Sequence, residues 1–421
     1  MKFLHISDIH LGCDLYHIEN EERMRDYGRA WGECIQIAID EKVDFVLIGG
    51  DLFDKKTPTP RAMIQAISGL TDLQNNNIPA IAIEGNHDNL SNGKQYSWLH
   101  TLCEMKLIKL LESDIKGGED GKLNVRMNHW DEENTNGQFI DIGKARIFGT
   151  SWSGASISKF FPAIIEKIAE NKRENAFNIL MLHTELEGEN ISPFPLLQLA
   201  ELNLAKPHID YVALGHIHKH FVIENWAFNP GCLEITNISE SKHQHGALLV
   251  EVNKENEISY RLLENYFRRP FHRVRVAVDG KIPEEVFNIS LETVKRQVDL
   301  TKVQPIIELI FEGHLGFKTV ELEVNKILDE VKKLTNALHV RANNKTQPRD
   351  LPIAVDFSNI DRKALEKQVL SDLVFRDTRY NSFAEDFADV AISVKEKALS
   401  DEDAEIIAEF IEEKIVARRN V

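Results

Sequence analysis

An α/β layered fold is predicted for residues 1–265 of the 421-residue chain, and two observations predict it. Short apolar runs alternate with stretches of helical periodicity, the pattern of sheets covered by helices. Five of the runs also stop at side chains able to bind a metal. FLHIS precedes Asp8 and His10, VLIGG precedes Asp51, IAIEG precedes Asn86 and His87, LML precedes His183, and VALG precedes His216 and His218. In open α/β sheets ligands collect beyond the carboxyl ends of the strands, so these residues are expected on one rim.

The strand candidates are FLHIS, VDFVLIGG, IPAIAIEG, ARIFGTS, NILMLH and YVALGH. Between the first two, Met24, Tyr27, Trp31, Ile35 and Ala38 recur at helical spacing, which predicts a core-facing helix within 19–42. A second helix is expected over 60–76, entered through Thr57, Pro58 and Pro60 and left through Asn75, Asn76 and Asn77. Residues 113–137, rich in Gly, Asn, Asp and Glu, predict loops or a short hairpin. At YFRRPFHR the chain turns basic and aromatic. A charged strand, a helix over 283–298, the strand PIIELIFEG, a helix over 322–334 and the strand LHVRANN then predict a small α+β capping domain over 266–350. Residues 351–421 are expected to form a helical tail. There Phe383, Phe387, Val390, Ala391 and Val394 share one apolar face, and Ile406, Ile407, Phe410, Ile411 and Ile415 another. Such faces pack within their own chain more often than on a partner.

Hydrophobic residues at 43% and charged residues at 28% exclude a disordered or fibrous chain. Cys13, Cys34, Cys103 and Cys232 are scattered and form no C-x-x-C pair, so neither a disulfide framework nor a zinc knuckle is expected. With no membrane-length apolar stretch, and with Asp8 and His10 interrupting the region a signal peptide would need, a cytoplasmic protein is expected. The net charge of −17 opposes indiscriminate DNA binding. Residues 266–350, however, hold fifteen Lys and Arg against twelve Asp and Glu, so a local basic strip at Arg268 and Arg269 could meet a phosphate backbone.

Taken singly, each motif has an ordinary reading. GGDLFD and GNHD are respectable turns, because Gly, Asn and Asp tolerate positive φ, and GHIH could be two loop histidines. Five pieces in the order D-x-H, G-D-x-x-D, G-N-H-D, H, G-H-x-H, each after an apolar run, point instead to a dinuclear site. Two divalent cations can clamp the attacking and leaving oxygens of a phosphoryl displacement, and a carboxylate can bridge them. Oxygen donors mixed with imidazole suit Mn²⁺, Fe²⁺ or Zn²⁺ better than Ca²⁺.

At KFLHISDIHLG, VDFVLIGGDLFD, IPAIAIEGNHDN, ILMLH, YVALGHIHKH and NPGCLE the chain resembles the calcineurin-like metallophosphoesterases, and within them the SbcD and Mre type of DNA repair nuclease. The resemblance covers residues 1–265 well, the capping domain loosely and the tail hardly at all. It implies a four-layer αββα sandwich and a manganese-dependent exonuclease, 3′–5′ and also endonucleolytic, with a water activated by two metals as nucleophile. It implies Asp8, His10 and His218 on one metal, Asn86, His183 and His216 on the other, Asp51 bridging, and His87 acting on the phosphate. His17 matches a histidine near the substrate path of similar nucleases. Where several relatives have a second histidine this chain has Asp54, which is expected to accept a hydrogen bond from His87 and favour its imidazolium. The resemblance further implies DNA, a coiled-coil ATPase of the SbcC or Rad type docked on the C-terminal helices, and a homodimer. The rival readings are a phosphatase or cyclic-nucleotide phosphodiesterase, and a degenerate binding module, which the filled ligand positions disfavour.

Overall fold

Apolar runs with strand periodicity become two six-stranded sheets in the computed structural model, which describes residues 1–18, 21–89, 96–117, 123–188, 196–298, 303–348, 362–375, 383–400 and 402–416. One sheet runs, edge to edge, Ile258–Leu263, Ala247–Val252, Lys2–Ile6, Phe45–Ile48, Ala80–Ala82, Lys109–Leu110. The other runs Phe221–Ile223, Ala227–Asn229, Tyr211–Gly215, Phe177–His183, Ala145–Gly149, Phe139–Ile142. All six strand candidates lie in these sheets. Most of the further strands are short or lie at the edges, but Ala247–Val252, six residues paired on both sides, is an interior strand that the sequence expectation omitted.

Alternation along Phe177–His183 shows how the layers are built. Phe177, Ile179 and Met181 enter the same core as Phe3, Phe45 and Tyr211 between the sheets. Leu180 and Leu182 point the other way, into a second core with Phe161, Ile164 and Ile168 of the helix Ile157–Asn171. The outer face of the first sheet is covered by Glu22–Asp40, which buries Tyr27, Trp31, Cys34, Ile35 and Ala38, and by Pro60–Asn75. Helix, sheet, sheet and helix thus form four layers, each fully buried large apolar side chain contributing about 1.5–3 kcal/mol. The helix Pro60–Asn75 starts as expected, with Thr59 Oγ1 accepting the Ala62 N–H at 3.2 Å and Pro60 in the first turn.

One polar group is shared by the two sheets. His5, wholly buried, lies 2.9 Å from the Tyr211 hydroxyl and 3.1 Å from the Leu214 carbonyl. Burial pushes its pKa down to about 3, so it spans the sheets as a neutral ring.

Strand direction decides where the chemistry can sit. Lys2–Ile6, Phe45–Ile48 and Ala80–Ala82 pair in parallel, as do Ala145–Gly149, Phe177–His183 and Tyr211–Gly215. Their carboxyl ends therefore share one rim. A hairpin, Asp114–Gly117 with Leu123–Arg126, occupies the region expected to hold loops or a hairpin.

Residues beyond 270 build a separate core within the same compact unit, Met1–Pro348. Phe271–Ala277, Ile306–Leu315 and His339–Pro348 form a parallel three-stranded sheet, crossed by the helices Pro283–Gln297 and Val324–Thr335. Val274, Val276, Leu309 and Phe311 meet Val286, Val294, Ile327 and Val331 there.

Residues 349–421 belong to a second unit. Its helices are Arg362–Phe375, Ala384–Leu399 and Ala404–Ile411. Lys367–Asp389 and Lys363–Glu396, both at 2.6 Å, tie the first to the second. Ala384 and Ala388 are buried, whereas Leu365, Val369, Leu373, Phe383 and Ile406 are exposed. The Ile415 side chain lies outside the described set. Among the described residues, no helix is long and apolar enough to cross a membrane.

Candidate metal centre

Each parallel strand ends in a sharp turn that aims its next residues over the rim. Asp8, His10, Asp51 and His216 take left-handed backbone, with φ of 52°, 49°, 52° and 91°. Such conformations are unfavourable for residues with a Cβ and collect at functional sites. Two glycines let the turns close up. A Cβ at Gly85 would overlap Asp51 Oδ1, and one at Gly50, whose φ is +98°, would overlap His183 Nδ1.

The seven expected metal-binding side chains meet at this rim. His10 Nε2 and His218 Nε2 face each other at 3.1 Å, with Asp8 Oδ1 3.6 Å from His218 Nε2. Asn86 Oδ1 lies 3.1 Å from His183 Nε2 and 2.9 Å from His216 Nδ1. Between these groups sits Asp51, whose Oδ2 is 3.3 Å from His183 Nε2 and 3.9 Å from His10 Nε2. Asp8, His10, Asp51 and His183 are buried.

Neighbouring groups decide which nitrogens point inward. His183 donates Nδ1–H to the Gly49 carbonyl at 2.8 Å, leaving Nε2 toward Asp51 and Asn86. His218 Nδ1 lies 3.1 Å from Glu240 Oε1, so that carboxylate takes its N–H and Nε2 turns toward Asp8 and His10. Asp8 itself is fixed by the His216 N–H at 3.0 Å and the Ser7 hydroxyl at 2.5 Å. Partners of this kind fix the tautomer and raise the basicity of a metal ligand.

Burial pushes both rim carboxyls up. At Asp8 burial prevails; at Asp51 the facing His183 imidazole outweighs it and holds the carboxyl below its usual range. The same pairing lifts His183 to about 9 in spite of its burial. Burial and neighbouring imidazoles push His10 down, and His216 down to about 3, so both are neutral donors.

A family model described as calcineurin-like phosphoesterase matches residues 1–220. The chain belongs to the calcineurin-like phosphoesterase family. Its similar relatives are each described as "DNA double-strand break repair protein Mre11". The Methanosarcina mazei protein is 28% identical over 303 residues, 71% of this chain and 43% of that one. The Archaeoglobus fulgidus protein is 29% identical, covering 52% of this chain and 46% of its own length. The chain thus spans less than half the length of these two relatives. The Saccharolobus solfataricus protein is 26% identical over 96% of both chains.

Membership of this phosphoesterase family implies divalent metal binding, and the donor set fits it. Asp8, His10 and His218 offer atoms close enough to hold one ion, as do Asp51, His183 and His216. Two imidazole nitrogens facing at 3.1 Å, His10 Nε2 and His218 Nε2, leave polar demand that a cation between them would satisfy.

The remaining expected site residues fare differently. His87 stands at the rim, its ring edge-on to His10 at 4.8 Å, and its backbone N–H donates to Asp51 Oδ1 at 2.8 Å. Its Nδ1–H donates to Asp54, at 2.6 Å, but to the backbone carbonyl. The expected contact to the Asp54 carboxylate is thereby corrected: that group turns toward His10 Nδ1, 3.7 Å away. His17 ends the turn Leu15–His17, and its side chain lies outside the described set.

Arg269 is not a free phosphate contact. Its side chain is 4% exposed and grips Asp26 through Nε and Nη2, at 2.5 and 2.7 Å, while Nη1 donates to the Gln304 carbonyl. Arg268 is partly exposed, but it is engaged by the His245 carbonyl at 3.0 Å and by Glu264 at 3.1 Å. Arg269 instead ties the helix Glu22–Asp40 to the segment before the strand Ile306–Leu315 within the same unit.

Three contributors escaped the sequence reading. Glu240 orients His218. Asp88, the last residue of G-N-H-D, accepts the N–H groups of Leu52, Phe53 and Gly85 at 3.1–3.2 Å and so holds two motif turns together. Trp152 lays its indole against His216 and His183. The aspartate had a signal in its motif; the other two lie in segments without one.

Proposed function

We propose that this phosphoesterase is a manganese-dependent DNA nuclease acting in double-strand-break repair, as a 3′–5′ exonuclease and an endonuclease. The observation that carries the reading is the rim itself, with seven donors from five strand ends already oriented by their neighbours. In this reading Asp8, His10 and His218 hold one cation, Asn86, His183 and His216 hold the other, and Asp51 stands between them. The relatives' printed names direct the reading to DNA.

When bound, two cations would supply positive charge to polarise the phosphodiester and to activate the attacking water. The chain's own residues do the rest. Asp51 accepts the His87 N–H and so fixes the G-N-H-D turn against the rim. His87, its Nδ1–H held by the Asp54 carbonyl, presents Nε2 to the substrate. A protonated Nε2 there can stabilise charge on the phosphate and hand a proton to the leaving oxygen.

Residues 266–350 are read as a cap for duplex recognition and 351–421 as a docking region for a coiled-coil ATPase of the SbcC type. Leu365, Val369 and Leu373, spaced by four and exposed, form an apolar stripe suited to such a partner. A cytoplasmic homodimer is the expected form. The test is an assay with Mn²⁺ on a 3′-labelled duplex beside a chromogenic phosphodiester. Duplex cleavage that disappears in Asp51→Asn supports the reading. Ester cleavage alone, even with the ATPase added, would leave a small-substrate phosphodiesterase in its place.

A further inference from the structure

We propose that Trp152 is the stacking platform for the nucleobase beside the cleaved phosphate, an inference that rests on the nuclease reading above. The residue follows the strand Ala145–Gly149 at the same rim as the metal centre. Its ring centroid lies 4.9 Å from that of His216, tilted by 37°, and 5.6 Å from that of His183 in an edge contact. The indole therefore flanks two of the imidazoles assigned to one cation.

The backbone that carries it is pinned. Trp152 N–H donates to the Glu84 carbonyl at 3.2 Å, two residues before Asn86. Ser151 and Ser113 exchange N–H to Oγ bonds at 3.0 and 3.1 Å. Gly154, with φ of +52°, comes close enough to the indole that a Cβ there would lie 3.9 Å from Trp152 Cζ2. A tryptophan that only fills a wall is enclosed by apolar neighbours, as Trp31 is at 1% exposure. Trp152 stays partly exposed, and its ring contacts are the imidazoles of His216 and His183 rather than apolar side chains.

A broad, rigid π face held beside a phosphate site suits nucleotides as a class. Every base has a face to stack, so the contact tolerates any sequence while distinguishing nucleotides from base-free phosphodiesters. Because the stack is made before the transition state and kept through it, its loss should appear in KM more than in kcat.

The experiment compares wild type, Trp152→Ala, Trp152→Phe and Trp152→Leu, all loaded with Mn²⁺, on two 3′-labelled duplexes. One ends in a normal nucleotide and the other in an abasic one, and the metal content of each protein is measured. Stacking predicts that Trp152→Ala raises KM about 10- to 100-fold on the normal end, the range for loss of one base–aromatic stack. It should change the abasic end little, and Trp152→Phe should recover most of the difference. Equal loss on both ends, no loss on either, or recovery by Leu as full as by Phe would overturn the platform and leave the nuclease reading intact. Wild-type protein that cuts neither duplex would overturn both.

Discussion

Two clusters of buried charge lie in the phosphoesterase unit, and they are built in opposite ways. Beneath the helix Glu22–Asp40, Arg23 reaches Asp26 at 2.7 Å and Glu234 at 3.5 Å, and Arg269 grips Asp26 from the other side. Apart from Arg23 Nε, the charged ends find opposite charges or carbonyls, so the cluster is complete in itself. At the rim, carboxylates and imidazole nitrogens converge on one another instead, with His183 and His218 held from outside by the Gly49 carbonyl and Glu240. Burial of polar groups is common to both. What separates a girder from a working site is whether the groups satisfy each other or jointly demand something else.

The largest expected effect breaks the rim. Asp51→Asn should lower bound metal and turnover by more than about 100-fold, the upper end for loss of an outer-sphere partner, while circular dichroism stays unchanged. Next comes the Arg23 cluster. Arg23→Met leaves Asp26 and Glu234 facing each other without their shared cation and should destabilise the fold by about 3–5 kcal/mol in denaturant titration. Turnover per folded molecule should hold. A milder change sharpens the contrast: Glu240→Gln frees the His218 tautomer and should weaken metal affinity by about 10- to 100-fold with little change in the unfolding midpoint. The smallest effect is expected at Asp54. Because His87 is held by its backbone carbonyl, Asp54→Asn should alter turnover less than about tenfold, against about 10²- to 10⁴-fold for His87→Gln. A larger loss in Asp54→Asn would mean that its carboxylate, through His10, matters more than the carbonyl.

The rim was readable because strand ends advertise themselves: an apolar run stops, and a ligand type follows at once. An α/β layering was implied by the same runs, and its four-layer αββα form by the family resemblance. Glu240, Trp152 and the Arg23 cluster were hidden for a different reason. Glu240 meets His218 across 22 positions and Arg269 meets Asp26 across 243, with no periodicity linking the partners. Arg268 and Arg269 read as a basic surface because sequence shows charge without showing what it faces. His87 was placed correctly at the rim, yet the atom it would bond was missed, since spacing cannot distinguish a carboxylate from the carbonyl of the same residue. The strands Phe221–Ile223 and Ala227–Asn229 are only three residues long, too short to carry a period of their own.

Parallel strands also give the molecule an idle end. Opposite the rim lies the exposed turn at 253–257, beside the amino end of Lys2–Ile6, whose other end leads to Asp8 and His10. A tether, fluorophore or inserted tag placed there stands a whole strand length from the phosphate. The protein can thus be anchored to a bead or chip with its rim turned outward, leaving the metal centre open to whatever substrate is offered.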